Sequence, residues 1–284
     1  FAARIYRAGI PVFIWDTWLE GLMAIRENGV QLEEDGLVRG YKVPVLESVN
    51  TGEKFTHALI LTKSYQTSDT VKLAQNFLSS EGTLLTLQNG LTARGKIESI
   101  LGFERVLGGV TTCAAQSLGP GYVKYQGGNS IRVGEHPAAK RYLSLLQHAG
   151  FETIIEQEIE VMTWEKALIN AVINPLGAIT GLTNGGLLKD QGIRETMCSI
   201  MDEGCQVAKA CGLEINSEKL FAKALNVLEE TAPNRCSMLQ DVDGGRQTEI
   251  EDINGVILQL AEKYLVDVPI LQTITNLIKA IERK

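Results

Sequence analysis

Residues 164–179 read WEKALINAVINPLGAI, and this stretch marks a change in the kind of structure that the chain encodes. Its apolar residues recur with the period of about 3.6 residues that is typical of an α-helix. Later stretches show the same period: Ile193–Cys211, Ser217–Leu228, Gln247–Tyr264 and Pro269–Arg283. No strand pattern follows residue 160. We therefore predict that residues 161–284 form an all-helical domain.

The part of the chain before residue 160 has a different pattern, in which short apolar runs alternate with helical stretches. Strands are predicted at Val12–Trp15, Ala58–Thr62, Thr83–Leu87, Val106–Thr112, Ser130–Val133 and Glu152–Glu156. Helices are predicted at Thr67–Leu78, Ala93–Leu101 and Ala138–Ala149, and a hairpin or loop at Gly119–Arg132. Such apolar strands between helices indicate a parallel sheet that is covered on both faces. Residues 1–160 are therefore predicted to form an α/β domain.

The composition of the chain excludes several classes of partner. The 284 residues include 27 Lys and Arg against 34 Asp and Glu, which gives a net charge of −7. This charge does not fit a protein that binds nucleic acid or an anionic membrane. The five cysteines lack a CxxC spacing and predict reduced thiols in a cytoplasmic protein. The histidines lie far apart and no apolar run reaches about 18 residues, so we expect neither a metal site nor a membrane span.

The first residues have the pattern of the middle of a βαβ unit. Residues 1–10, FAARIYRAGI, have helical spacing and reach a stop at Gly9, and the apolar run PVFIWD follows. We expect that a strand and a Gly-rich turn belong before Phe1 and are missing from this sequence. Asp16 ends the apolar run. In a dinucleotide-binding fold, an acid at this place accepts hydrogen bonds from the adenosine ribose hydroxyls and repels a 2′-phosphate.

Lys166, Asn170 and Asn174 are spaced by four residues and project from one face of the predicted helix. One interpretation is an exposed polar stripe on an amphipathic helix. However, such stripes usually carry Glu, Lys or Arg, and Asn is a poor helix former. One cation and two amides on an otherwise apolar helix favour a partly buried site for a small polar anion. Pro175 is expected to bend or break the helix after Asn174, which would free backbone groups close to this site.

Two further stretches of the helical part carry polar residues that a site could use. In QTEIEDING, residues 247–255, one of the acids Glu249, Glu251 and Asp252 could approach Lys166 from a neighbouring helix. Acidic residues are also common in the first turn of a helix, where the helix dipole favours them. In CSMLQD, residues 236–241, Ser237 precedes an apolar pair as a helix N-cap would.

Two strand ends in the first part of the chain predict a ligand crevice. Lys63 follows the strand Ala58–Thr62, and Asn89 and Gly90 follow Thr83–Leu87. Ligands of open parallel sheets bind outside the carboxyl ends of the strands. Each of these residue types is also ordinary in a turn, but together they favour a binding site.

With these motifs assembled, the sequence resembles the ketopantoate reductase (2-dehydropantoate 2-reductase) family of the 6-phosphogluconate-dehydrogenase-like superfamily. The resemblance extends from residue 1 to the last helix and is strongest in LTKSYQT, LQNG, WEKALINAVINPLGAITG, TNGGL, SMLQD and TEIEDING. It implies a Rossmann-type dinucleotide-binding domain at residues 1–160 and an all-α substrate domain at residues 161–284. It also implies NAD(P)H-dependent reduction of ketopantoate to pantoate, a step of pantothenate and coenzyme A biosynthesis.

The resemblance implies a role for each matching residue. Lys166 would be the general acid that protonates the substrate carbonyl oxygen, and Glu249 would be the acid near Lys166 and the cofactor ribose. The residues implied to hold the substrate carboxylate and hydroxyl are Asn170, Asn174, Asn184 and Ser237. Those implied to line the cofactor are Lys63, Asn89 and Ala115, with Asn89 also near the substrate. The family typically uses NADPH, whereas Asp16 favours NADH, so we expect that NADH is accepted and could be preferred.

Other interpretations stay open from the sequence. The enzyme could reduce a different branched 2-oxo acid, because the motifs define the carboxylate and carbonyl ends of the substrate better than its side chain. A non-catalytic dinucleotide-binding sensor on the same fold is a further alternative, against which the intact set of Lys166, Asn170, Asn174 and Glu249 argues. Apolar faces in Ile193–Cys211 and Leu225–Leu228 would permit a homodimer, but such faces are more often core.

Overall fold

The computed structural model describes residues 1–48 and 52–283. They divide into two compact units. The first consists of Phe1–Leu61, Ser68–Leu87 and Ile97–Ile159, and the second of Thr62–Thr67, Gln88–Lys96 and Glu160–Lys284. Two short segments, 62–67 and 88–96, therefore belong with the helical part of the chain although they follow strands of the α/β part.

The α/β part contains two sheets. Its strands are β1 Val30–Glu34, β2 Leu37–Tyr41, β3 Phe55–Ile60, β4 Leu78–Thr86, β5 Val106–Thr111, β6 Ala114–Gly119, β7 Tyr122–Gly127, β8 Ser130–Gly134 and β9 Glu152–Glu156. Its helices are α1 Ala2–Arg7, α2 Leu19–Asn28, α3 Thr67–Ala74, α4 Ala93–Leu101 and α5 Ala139–His148. One sheet has the order β3-β4-β5-β8-β9 and the other the order β2-β1-β7-β6.

The five-stranded sheet is parallel except at one pair. β3, β4 and β5 are parallel neighbours, β8 runs antiparallel to β5, and β9 is parallel to β8. Leu84, Leu85 and Leu107 are fully buried in this sheet, which explains the almost continuous apolar pattern of its strands. The expectation of a parallel sheet was wrong at the β5–β8 pair, so that β8 and β9 run opposite to β3, β4 and β5; the β6–β7 hairpin lies between β5 and β8 in the chain.

Two other details differ from the sequence prediction. Val12–Trp15 is not a strand, since only Ile14 forms a bridge, to Val45. Pro44, which precedes Val45, has no N–H that could extend the pairing. After Ile14, the Asp16 carboxylate accepts hydrogen bonds from the backbone N–H groups of Thr17 and Trp18, and the chain turns. The strands β1 and β2 were missed. β2 is exposed along almost its whole length and lacks an apolar pattern, and β1 has only two buried apolar residues, Val30 and Leu32.

The remaining helices form the body of the second unit. They are α6 Ile159–Thr180, α7 Asn184–Lys189, α8 Gln191–Ala210, α9 Ser217–Glu230, α10 Ser237–Asp243, α11 Val256–Tyr264 and α12 Pro269–Ile281. A π-helical turn, Glu251–Gly255, precedes α11 and begins later than the helix predicted from Gln247. The predicted fold class, a Rossmann-type α/β part followed by an all-α part, is confirmed.

One apolar core fills the helical unit. It includes Leu168 and Val172 of α6, Met201 of α8, Ile257 of α11 and Leu271 of α12. The apolar face of α8 that would have permitted a dimer is part of this core, as its buried residues Met197, Ile200 and Met201 show. No helix formed by the described residues is long and apolar enough to cross a membrane.

Candidate functional site

Lys166, Asn170 and Asn174 lie on α6, which is helical throughout Ile159–Thr180. Their spacing therefore places them on one face of a single helix, as the sequence predicts. Lys166 and Asn170 are half-buried and Asn174 is buried, whereas Ala167, Leu168 and Val172 between them are part of the core. Lys166 and Asn170 thus occupy the less buried part of this face, and Asn174 lies on the same face where the helix is enclosed.

Pro175 does not break α6, although the sequence led us to expect a bend or a break at this point. A proline has no N–H to donate to the carbonyl four residues earlier, which here belongs to Ala171. The side chain of Asn254 takes that place, because its Nδ2 donates to the Ala171 oxygen at 3.1 Å. A second side chain contacts the same turn of the helix, since the Cys236 thiol donates to the Asn174 oxygen at 3.4 Å.

The N-cap of α10 is Cys236 and not Ser237. The Cys236 sulfur accepts the backbone N–H of Leu239, and Ser237 is the first helical residue. The thiol is buried, and burial raises its pKa, so it packs as a neutral group. Because Cys236 makes the cap, the exposed hydroxyl of Ser237 is not committed to capping the helix.

Glu249 contacts two short segments of the helical unit. One follows strand β3 and the other follows strand β4. The Glu249 carboxylate is 5% exposed and accepts hydrogen bonds from the Ser64 backbone N–H at 3.0 Å and from Asn89 Nδ2 at 3.3 Å. Lys63 Nζ lies 4.0 Å from the same carboxylate. The structure therefore brings together three predicted site residues: Lys63, Asn89 and Glu249.

Asp252 forms a second link of the same kind. Its carboxylate accepts from Ser64 Oγ at 2.9 Å, from Thr92 Oγ1 and from Lys96 Nζ. Burial opposes ionisation of this carboxyl, but the hydrogen bonds from Lys96, Thr92 and Ser64 outweigh it and hold its pKa below the usual value. Asp252 is therefore an anion that fixes both segments, 62–67 and 88–96.

The turn at Asn89 and Gly90 packs directly on the backbone of Asp252. Gly90 has φ +88°, and a Cβ at this position would lie 2.4 Å from the Asp252 carbonyl oxygen, so only glycine fits. The N–H of Leu91 donates to the same oxygen at 3.3 Å. The LQNG motif is therefore both a turn and a contact surface for the π-helical turn.

Lys63 pairs with an acid that the sequence reasoning did not single out. Its Nζ lies 2.5 Å from Asp241 Oδ2, and Arg246 donates to the other oxygen of Asp241 at 3.2 Å. Asp241 is 3% exposed and stands at the end of the SMLQD motif. Ser64, Thr92 and Lys96 were also not singled out from the sequence. As with Asp241, their partners lie far away in sequence. Of these residues, only Asp241 and Ser64 lie in motifs that were quoted from the sequence, namely SMLQD and LTKSYQT.

The three acids of QTEIEDING have separate partners. Glu249 contacts the segments already described, Glu251 pairs with Lys279 at 2.7 Å, and Asp252 pairs with Lys96. That one of these acids approaches Lys166 stays a prediction.

Asn184 occupies a fixed orientation at the start of α7. It is buried, its backbone N–H donates to Asn234 and its Nδ2 donates to Thr231 Oγ1 at 2.7 Å. The Thr231 hydroxyl in turn donates to the Val227 carbonyl, so it must accept from Asn184. This leaves Asn184 Oδ1 as a buried acceptor that has no hydrogen-bond partner within residues 1–48 and 52–283.

The α/β unit contains a cavity of about 280 Å³ that brings together the other predicted cofactor residues. Asp16 and Ala115 both line it, with Phe1 and Ala2 of the first helix and Trp18. Most of the remaining lining is apolar. The Asp16 carboxylate is held by the two backbone N–H groups that follow it. The cavity thus offers an oriented carboxylate at the edge of an apolar space.

Each of the two units offers groups that suit a small polar ligand. The α6 face offers a cation and two amides, Asn184 offers a hydrogen-bond acceptor, and the cavity of the α/β unit offers a carboxylate that accepts from hydroxyl groups. Cations and oriented amides stabilise negative charge where it develops.

Comparisons with known proteins agree with this chemistry. The family model described as "Ketopantoate reductase PanE/ApbA" matches residues 1–138, and "Ketopantoate reductase PanE/ApbA C terminal" matches residues 158–282. A protein of Archaeoglobus fulgidus named 2-dehydropantoate 2-reductase is 34% identical over 268 residues, which cover 90% of this chain and 88% of that protein.

Solved structures show the same fold over almost the whole chain. A ternary structure of D-mandelate dehydrogenase with NADH and anilino(oxo)acetate has a TM-score of 0.95 and 26% identity, covering 99% of this chain and 94% of that one. A PanE/ApbA family ketopantoate reductase from Ralstonia eutropha has a TM-score of 0.90 and 25% identity over the same shares. From the two matched family models and the 34% identical relative, it follows that the chain belongs to the ketopantoate reductase family.

Proposed function

We propose that this protein catalyses the NAD(P)H-dependent reduction of 2-dehydropantoate to pantoate, a step of pantothenate and coenzyme A biosynthesis. The observation that carries the proposal is the set of Lys166, Asn170 and Asn174 on one face of α6 in a member of this family. The five thiols support a cytoplasmic enzyme.

Lys166 is the proton donor of the proposed reaction. Reduction of a ketone places negative charge on the carbonyl oxygen, and a positioned ammonium group both stabilises this charge and supplies the proton. Asn170 and Asn174 donate from their amides to the substrate carboxylate, with Ser237 and Asn89 as further hydrogen-bonding groups. These neutral donors select an acid rich in oxygen over an apolar analogue.

Asn184 supports a substrate that carries a hydroxyl group. Its Oδ1 is buried and without a partner in the described part of the chain, and Thr231 keeps the amide in this orientation. A buried acceptor that gains a donor avoids a cost of about 1–3 kcal/mol. The hydroxyl of 2-dehydropantoate is such a donor, whereas an arylglyoxylate has none.

The residues of the α/β unit fit a nicotinamide dinucleotide. Asp16 presents a carboxylate that accepts from ribose hydroxyls, the small Ala115 allows close approach, and the apolar lining suits a base. In the helical unit, Lys63, Asn89 and Glu249 are held together and would contact the cofactor or substrate. When bound, the dinucleotide supplies the hydride, and the protein supplies orientation.

The direct test is oxidation of NADPH and NADH in parallel, with 2-dehydropantoate as substrate and Lys166→Ala and Lys189→Ala as variants. We expect turnover by the wild type, a kcat reduced about 1,000-fold in Lys166→Ala, and no change in Lys189→Ala, whose side chain is exposed on α7. Binding of dinucleotide by a folded wild type without turnover of any 2-oxo acid would favour the sensor interpretation instead.

The cofactor preference is tested through Asp16. A carboxylate repels a 2′-phosphate, so we propose that NADH is accepted and that Asp16→Ala raises kcat/KM for NADPH relative to NADH by about 10-fold. The control is Glu20→Ala, an exposed acid on α2. A strong preference of the wild type for NADPH that survives in Asp16→Ala contradicts this role.

A second candidate function is reduction of a different 2-oxo acid. The TM-score of 0.95 with D-mandelate dehydrogenase, which is described with a 2-oxo acid analogue, favours it. Comparing kcat/KM for 2-dehydropantoate, a branched aliphatic 2-oxo acid without hydroxyl, and phenylglyoxylate separates the candidates. An Asn184→Ala variant that loses activity only on the hydroxylated substrate would support 2-dehydropantoate.

A further inference from the structure

The carbonyl of Ala171 is the one that Pro175 leaves without its helical donor. In an α-helix the N–H of residue 175 would donate to the oxygen of residue 171, and proline has no N–H. The proline ring also crowds this oxygen and pushes it away from the helix axis. Both residues are buried, so the Ala171 oxygen needs a donor from elsewhere in the protein.

Asn254 supplies that donor from the π-helical turn. Its side chain is fully buried, and Nδ2 lies 3.1 Å from the Ala171 oxygen. Its Oδ1 has no hydrogen-bond partner among the residues that the structure describes. The amide is therefore engaged through its donor, and Ala171 is the group that this donor satisfies. A π-helical turn changes the direction of the side chains relative to a regular helix, which is typical of functional sites.

The position of this hydrogen bond relates it to the candidate site. Ala171 directly follows Asn170, and Pro175 directly follows Asn174. The direction of the chain between residues 171 and 175 therefore sets how Asn174 is oriented relative to Lys166 and Asn170. The Cys236 thiol contacts the same segment through the Asn174 oxygen.

We propose that Asn254 is a positioning residue, which replaces the hydrogen bond that Pro175 cannot make and so holds Asn170 and Asn174 in register for the substrate. The positioning of Asn170 and Asn174 for a substrate rests on the proposed function, whereas the replacement of the missing hydrogen bond does not. Asn254 acts through α6 and has no role in the transfer of hydride or proton.

A double-mutant cycle tests the proposal. Its members are wild type, Asn254→Leu, Pro175→Ala and the double variant, because Pro175→Ala restores a backbone N–H that can donate to Ala171. We expect Asn254→Leu to lower kcat/KM for the 2-oxo acid about 10-fold, chiefly through KM, and to have less than about 3-fold effect in the Pro175→Ala background. Gln259→Leu, which replaces an exposed amide on α11, is the matched control.

The midpoint of urea unfolding gives a readout that does not depend on activity. Asn254→Leu is expected to lower the midpoint more in the wild-type background than in the Pro175→Ala background. Equal effects of Asn254→Leu in both backgrounds, on the midpoint and on kcat/KM, would overturn the proposal. If Asn254→Leu does not fold, Asn254→Ala takes its place, since alanine removes the donor without adding bulk or charge.

The two halves of the proposal can fail separately. A wild type that turns over no 2-oxo acid contradicts the proposed function, and the unfolding midpoints then still decide whether Asn254 replaces the missing hydrogen bond. Coupling in the midpoints without any change of KM overturns the positioning role and leaves a purely structural contact.

Discussion

The helical unit holds two groups of polar side chains that are organised in different ways. Lys166, Asn170 and Asn174 lie on one helix, so their relative positions follow from regular helix geometry. The acids Asp241, Glu249 and Asp252 instead bond to Lys63, Ser64, Asn89, Thr92 and Lys96, which lie between 156 and 188 positions away in sequence.

Because of this difference, we expect substitutions in the two groups to have different effects on activity and on stability. Asn170 on the α6 face is half-buried and projects from a regular helix, so its side chain can be shortened while the helix and its core contacts stay in place. Glu249 and Asp252 cannot be replaced in this way, since they hold the segments 62–67 and 88–96, and removing either leaves a donor of the buried Ser64 without its acceptor. We therefore expect Asn170→Ala to change mainly the kinetics, and substitutions of Glu249 and Asp252 to lower the free energy of unfolding.

Glu249→Gln should show the largest combined effect. One amide oxygen can replace one carboxylate oxygen, but the amide NH2 then faces either the Ser64 N–H or the Asn89 amide, and both are donors. We expect kcat/KM to fall about 100-fold and the free energy of unfolding to fall by about 1–2 kcal/mol. Steady-state kinetics and urea unfolding measure the two effects.

The control for this variant is Glu230→Gln, which alters an exposed acid at the end of α9. A Glu249→Gln enzyme that loses activity but keeps the full unfolding free energy would place Glu249 in the first group, with the α6 side chains.

Asp252→Asn should act mainly on stability. It weakens the contacts with Lys96, Thr92 and Ser64, and we expect a loss of about 2 kcal/mol in unfolding free energy at pH 7. The pKa of this carboxyl is lowered in the folded protein, so its contribution is present above the unfolded pKa of about 3.9 and is lost as the pH falls through the folded pKa.

The pH dependence provides the check on that prediction. Wild type and Asp252→Asn should differ in unfolding midpoint at pH 7 and converge below about pH 4. Glu251→Gln, which alters an exposed ion pair with Lys279, should change the unfolding free energy by less than about 1 kcal/mol. A difference between wild type and Asp252→Asn that is constant down to about pH 3 would contradict the ionic origin of the effect.

The same contrast explains which parts of the site could be predicted from the sequence. That Lys166, Asn170 and Asn174 share one face of α6 was predictable, because this follows from helix periodicity. The partners of Asp241 and Asp252 were not, because no local pattern pairs residues that lie 178 or 156 positions apart. No role was predicted for Asn254, since a side chain that replaces a backbone donor leaves no periodic signal.

The fold shows the same limit. Strands β4 and β5 were predicted because burial on both faces gives continuous apolar runs, whereas the exposed strand β2 has no such run. The cap of α10 was predicted one residue too late, because serine is a common N-cap and cysteine is not. The antiparallel direction of β8 depends on the preceding hairpin, and its pairing partner cannot be derived from the strand itself.

Asn170→Ala gives the smallest expected effect and separates the two groups most clearly. Removing one amide donor for the substrate should lower kcat/KM about 10-fold. Alanine is a better helix former than asparagine, so the free energy of unfolding should stay the same or rise by about 0.5 kcal/mol. Asn226→Ala, at an exposed position within α9, should show the gain in stability without the kinetic loss. A loss of stability in Asn170→Ala would mean that the Asn170 side chain itself makes stabilising tertiary contacts, and the distinction between the two groups would fail.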